Sequence, residues 1–133
     1  MKNGNVLLEK SYAFGLRMFG LNKLVISKKL YAAADQVFRN GTSIGANTEE
    51  AIGGASRRDF IAKMTIAYEE ARETHYWLRL PRDSESLEPR LAASLLADAE
   101  GLKKILASIF ISSKAADEAV DEAEAAASNE PTE

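Results

Sequence analysis

The chain of 133 residues contains no cysteine, three prolines, one histidine and one tryptophan. Without cysteine there is no disulfide framework and no thiolate metal site, and His75 alone leaves almost nothing for an imidazole-held zinc or iron. No metal or cofactor is therefore expected. No uninterrupted apolar run approaches the roughly 18 residues that a membrane span requires. The opening Met1-Lys2-Asn3-Gly4-Asn5 is too polar, and charged too early, for a secretory signal. The expectation is a cytoplasmic protein with no membrane partner. Strand-type alternation is absent too, and the few glycines and prolines cluster as punctuation between long stretches of helical period. With 46% apolar and 28% charged residues, a chain of this length supports one core rather than two.

Bases are missing from one region altogether. From Ala115 to Glu133 there are seven acids (Asp117, Glu118, Asp121, Glu122, Glu124, Glu130 and Glu133) and no base. The preceding 114 residues carry 17 bases against 13 acids, so the net charge of −3 conceals a body of net +4. The expected organisation is a domain over 1–114 and an acidic, alanine-rich tail over 115–133, disordered or frayed. The tail either solvates the protein or competes with an anionic partner for the basic body.

Four helical segments account for the body. The first, about Val6 to Lys29, sets Leu7, Phe14, Met18, Leu21 and Val25 on one face. A second stripe, Leu8, Tyr12, Phe19, Ile26 and Leu30, lies roughly 120–140° away at about 100° per residue. One stripe suffices for a bundle core. The second is expected to meet another subunit, unless the helix is wedged between its own neighbours. The second segment, about Ala32 to Gly53, presents small residues inward, and Gly41-x-x-x-Gly45 predicts a close helix approach. Gly53-Gly54 ends it, and Ser56 with Asp59 three residues later reads as a capping box opening the third helix.

The third segment, Arg57 to about Leu80, carries the seam Phe60, Met64, Ala67, Ala71, Thr74 and Leu78. Its other side carries Ala62, Ile66, Glu70, Glu73, Trp77 and Leu80. Pro81 and the polar run after it are read as the next loop, and Pro89 as the first turn of a fourth helix ending near Ser112-Ser113. The fold class is all-α, an antiparallel up-and-down four-helix bundle.

Polar residues recur where a half-apolar face is expected. Arg39, Ser43, Asn47 and Glu50 step by 4, 4 and 3 along the second helix. Glu73 lies in the Ile66/Trp77/Leu80 row, where a carboxylate needs partners. The reading is a structural hydrogen-bonded network between helices, formed by Arg39, Ser43, Asn47, Glu50 and Glu73; the alternative is a solvated stripe. Catalysis is not expected. A di-iron bundle needs two Glu-x-x-His motifs, but His75 has Arg72 three residues before it, and no nucleophile elbow or phosphate loop occurs.

Between residues 1 and 29 there are six bases and one acid, Glu9. Lys10, Arg17 and Lys28 fall within about 20° of one another, forming a ridge beside the core stripe. With Lys23 they make the candidate nucleic-acid-binding set; the alternative is a solvated face. Repeated in a ring, such a ridge would attract phosphate in a salt-dependent and largely sequence-independent way.

Three runs carry a family resemblance. They are Gln36-Val37-Phe38-Arg39-Asn40-Gly41-Thr42-Ser43-Ile44-Gly45-Ala46-Asn47-Thr48-Glu49-Glu50-Ala51, then Ser56-Arg57-Arg58-Asp59-Phe60, then Glu69-Glu70-Ala71-Arg72-Glu73-Thr74-His75-Tyr76-Trp77-Leu78. Over about residues 5 to 114 the chain resembles the bacterial four-helix bundle proteins encoded in 23S rRNA intervening sequences. More distantly, it resembles the accessory variability proteins of diversity-generating retroelements. The resemblance implies an up-down bundle assembled as a homopentamer, and in the retroelement branch a basic channel that binds nucleic acid and a reverse transcriptase. It places Ser43, Asn47, Glu50 and Glu73 at the family's signature polar positions, and the acidic tail lies outside its pattern. The resulting expectation is a non-enzymatic ring-forming scaffold for structured RNA or a ribonucleoprotein. The alternative is a protein-interaction scaffold without nucleic acid.

Overall fold

The computed structural model describes residues 2–129. Four helices follow in order, α1 (Lys2–Ser27), α2 (Tyr31–Gly53), α3 (Arg57–Asp83) and α4 (Pro89–Ser128), and no strand occurs among the described residues. Connections of three to five residues force antiparallel neighbours. Each helix packs on the next, α1 closes on α4, and the diagonal pairs stay apart. The core follows the helical period: Leu7, Phe14, Met18, Leu21 and Val25 from α1 meet Val37 and Ile44, Met64 and Leu78, and Leu95, Leu102, Leu106 and Ile109, while Phe60 of the expected α3 seam is half-buried.

Two helix ends are built without glycine. After α1, Leu30 donates its N–H to the Val25 carbonyl and Lys29 to that of Ile26, the pairing of a Schellman cap. Lys29, at φ 61°, holds the left-handed position. After α3, Ser86 donates to Pro81 and Glu85 to Arg82, with Glu85 at φ 58°. The start of α3 follows the capping signal, since Ser56 Oγ accepts from the Asp59 N–H at 3.1 Å. At the start of α4, Glu88 accepts from the amides of Arg90 and Leu91 at 3.1 and 3.0 Å, with Pro89 in the first turn.

Two boundaries differ from expectation. Pro81 lies inside α3 rather than in the loop, buried in its last turn, and its carbonyl accepts from Ser86 and Leu87. A proline so close to the end costs the helix little beyond the N–H that Trp77 would receive. The second difference is the tail. α4 runs on to Ser128, a rod of about 60 Å. The acidic segment is thus helical as far as Ser128, whereas residues 130–133 lie outside the described region. Ser112-Ser113 does not stop a helix already nucleated, and alanine and glutamate are strong helix formers. Arg57 ties the extension down, donating from Nε to Asp117 at 2.6 Å and from Nη2 to the Ser113 carbonyl at 3.0 Å.

Candidate nucleic-acid interface

The basic residues of α1 divide between two flanks. Lys10, Arg17 and Lys28 lie along the seam with α4, the most open of the four. Arg17 is half-buried and donates to Asp98 at 2.6 Å. Lys28 is exposed, its Nζ 3.3 Å from the Ser86 carbonyl. Lys10 borders a cavity of about 210 Å3 together with Ala13, Ala97, Asp98 and Gly101, side chains too small to fill the space between the helices. Lys23 does not join them. Helical geometry places it about 140° round α1, among Leu16, Phe19 and Ile26, so the four-residue set is a three-residue ridge. The ridge is also less free than the sequence suggests, because Asp98 neutralises its central member.

The expected internal network is not formed within the chain. Arg39 is exposed and lies 3.8 Å from Asp35 on its own helix. Asn47 donates to the Ser43 backbone carbonyl at 2.9 Å, also within α2. Glu50 pairs across to Lys63 at 2.8 Å, and Glu73 is exposed, with no ion pair among the described residues. The reason is angular: α2 turns Gly41, Ile44, Thr48 and Ala51 into the core, which leaves this column on the outer α2/α3 flank. Burial instead perturbs Glu70, one turn before Glu73. Partial burial raises its carboxyl above the ordinary value, the Glu73 and Glu69 charges add to the rise, and Arg39 opposes it. Deeper on the same flank the Asn40 Nδ2 is buried with no hydrogen-bond partner among the described residues.

Other contacts join distant positions and leave no signal in a sequence. His75 Nε2 lies 3.4 Å from Glu100, which also pairs with Lys103 at 3.2 Å. Burial lowers the His75 pKa; Lys103, Arg79 and Arg82 add to that and Glu100 opposes it. Tyr68 stacks on Phe110 at 6.5 Å, with Arg72 over Tyr68 and Lys114 over Phe110. No cluster of three potential metal ligands occurs among the described residues, and none of their helices is long and apolar enough to cross a membrane.

The second stripe of α1 is open in the single chain. Tyr12, Phe19 and Ile26 are exposed, together with Leu16, while Leu8 and Leu30 are half-buried. Tyr12, Leu16 and Phe19 line a groove with Thr42, Gly45 and Ala46 of α2, and Phe19 meets Phe38 edge-on at 4.9 Å.

This bundle has counterparts. A crystal structure of a protein of unknown function from the S23 ribosomal protein family of Bacteroides thetaiotaomicron is 38% identical. The match covers 81% of this chain and 97% of that one, at a TM-score of 0.77. No curated protein matches. The family model described as 23S rRNA-intervening sequence protein matches residues 4–108, the bundle itself without the helical extension. With this fold and these signature runs, the chain belongs to the 23S rRNA-intervening sequence protein family.

Proposed function

We propose that the protein is a non-enzymatic, oligomeric helical scaffold that holds structured RNA or a ribonucleoprotein through basic surfaces. The observation that carries the reading is the row Lys10, Arg17 and Lys28 along the open α1/α4 seam, in a family tied by name to 23S rRNA. Phosphate is attracted by such a row without base-specific contacts, so affinity falls steeply with salt. A titration against 23S rRNA fragments and unrelated RNA, by mobility shift at two salt concentrations, tests it. Lys10→Glu with Lys28→Glu is expected to weaken binding uniformly across RNAs and to lower the salt slope by about two per bound protomer. Absence of binding at low salt by the folded protein overturns the RNA reading.

One observation favours a second reading. Arg17 is held by Asp98, while the α1 flank exposes Tyr12, Leu16, Phe19 and Ile26, and an apolar face of that size suits protein contacts. A scaffold of this kind would engage protein partners, a reverse transcriptase among them, without nucleic acid of its own. In that case the double substitution leaves partner capture unchanged.

A further inference from the structure

We infer that the cavity between α1 and α4 seats the base of one unpaired nucleotide, so that the protein engages RNA at a bulge, loop or single strand rather than along a duplex. This rests on the RNA half of the proposed function and narrows it.

The cavity is open above and apolar below. Phe14 and Leu102 are buried at its floor, while Ala13 and Ala97 on its walls are exposed. Gly101 leaves its space unfilled, since a Cβ built there meets nothing within 4 Å. An apolar cavity of about 150 Å3 takes one benzene ring. At about 210 Å3 this one has room for a single heterocyclic base, but not for a stacked pair.

The charges at the mouth suit a nucleotide. Lys10 borders the cavity, exposed and without an ion pair among the described residues. Lys28 lies about 27 Å further along the same flank, so a strand laid on the seam meets a cation on either side of Arg17. The Arg17–Asp98 pair between them offers no net charge to a phosphate. It does fix a carboxylate at the rim: Arg17 donates to Asp98 Oδ2 at 2.6 Å, and no donor approaches Oδ1 among the described residues. A free carboxylate oxygen there accepts from the amino group of a base, which cytosine, adenine and guanine carry and uracil lacks. The contact that spoils the centre of the ridge as a phosphate track thus equips it to hold a base edge.

Bases in a duplex cannot reach such a floor, because stacking occupies their faces and pairing their edges. Extrusion costs the loss of both, and costs least where the base is already unpaired. A ridge acting by charge alone has the opposite preference, since a duplex carries phosphates more densely than a single strand. The form of the RNA therefore separates the two mechanisms.

Two RNA hairpins test the inference, one fully paired and one carrying a single bulged 2-aminopurine nucleotide, so that their charges are nearly equal. In mobility-shift and fluorescence titrations, the bulged hairpin is expected to bind on the order of tenfold tighter, with a change in 2-aminopurine emission. Gly101→Leu fills the cavity without altering charge, and Ala13→Leu crowds it from α1. Each variant, its fold checked by circular dichroism, is expected to lose both the preference and the emission change. The paired hairpin, which does not use the cavity, is expected to bind both variants as before and with the same salt slope. Equal affinity of the unsubstituted protein for the two hairpins overturns the base pocket and leaves the phosphate ridge standing. A preference that survives both leucines puts the base elsewhere and overturns the cavity as its seat. No binding of either hairpin at low salt overturns the RNA reading itself, and the base pocket with it. As a second arm, a bulged cytidine is expected to bind more tightly than a bulged uridine, and Asp98→Asn to remove the difference. Equal affinity for those two bulges in the unsubstituted protein overturns the Asp98 contact.

Discussion

Gly41 offers the sharpest test of how α1 and α2 come together. A Cβ at this position falls 2.5 Å from Met18 Sδ, 2.6 Å from its Cγ and 3.3 Å from Phe14 Cε1. Unstrained carbon contacts lie near ~3.5–4.0 Å, so the overlap with Met18 is on the order of 1 Å. Met18, the nearer of the two, is itself fully buried and has little room to retreat. Overpacking of this kind costs about 1–3 kcal/mol, and replacing a mid-helix glycine by alanine returns about 1 kcal/mol. Gly41→Ala is therefore expected to lose up to about 2 kcal/mol, a fall in Tm of up to roughly 10 °C for a chain of this size. Gly20 supplies the control, because nothing lies within 4 Å of its added Cβ; Gly20→Ala should raise Tm by roughly 3–5 °C. Thermal unfolding followed by circular dichroism, at one protein concentration, measures both. A double-mutant cycle with Met18→Ala isolates the clash, since the smaller side chain vacates the space. Coupling of about 1 kcal/mol or more is expected. A Gly41→Ala variant that gains as much as Gly20→Ala, or a cycle that is additive, would refute the close-approach argument.

Lys29→Gly and Glu85→Gly should each stabilise the fold by about 1 kcal/mol, because both residues occupy left-handed positions that a side chain resists; alanine at either site should give no such gain. Glu70→Gln tests the α2/α3 flank by pH. The Glu70 carboxyl is raised in the fold, so the stability linked to its protonation is fully present below its ordinary value of 4.5 and lost as pH rises through the raised value. The glutamine variant should therefore melt higher than the parent at pH 7, with the difference vanishing below about pH 4. Arg57→Ala should leave overall stability nearly unchanged, since its pair with Asp117 is half exposed. Amides around Ser113 to Asp117 should nevertheless exchange faster by hydrogen–deuterium measurement, because that side chain anchors the start of the extension.

What could be read from the sequence was the interior. Phe14, Met18, Leu21, Met64 and Leu78 announce themselves by spacing, because only one face of a helix reaches the core and the period of 3.6 is rigid. The Ser56 cap and the Pro89 start were legible for the same local reason: their hydrogen bonds span two or three residues. The α1 cap was not, since Lys29 in a glycine position looks like an ordinary helical residue. Nor did the sequence disclose that Asp98 would neutralise Arg17, a contact across 81 positions that depends on how α1 and α4 are turned. Spacing grouped Arg39, Ser43, Asn47 and Glu50 correctly as a column, but not its radial direction. A stripe about 100° from the core direction is buried or open according to the tilt of the neighbouring helix, which no pattern in α2 records. Disorder of the tail was inferred from charge, whereas alanine content and continuity with α4 decide its conformation to Ser128.

The signature run on α2 separates into two sets of residues with different duties. Gly41, Ile44 and Thr48 face the core, and Gly45 lets the helix approach Ser11 of α1; without them the bundle could not close at this spacing. Thr48 satisfies its own hydroxyl on the Ile44 carbonyl, so even the polar member of this set asks nothing of a partner. The outward set is different. Ser43, Asn47 and Glu50 stabilise no core, and their bonds are local or exposed, so removing them from a lone bundle should cost little. Folding alone therefore gives no reason for a polar column there, beside the Asn40 Nδ2, which has no hydrogen-bond partner among the described residues, and the Glu70 carboxyl, raised by partial burial. A flank that holds both an unmet donor and a disfavoured charge gains most when another surface covers it, because burial strengthens each new hydrogen bond as it removes water. The inward set thus specifies the fold, whereas the outward set contributes little to it.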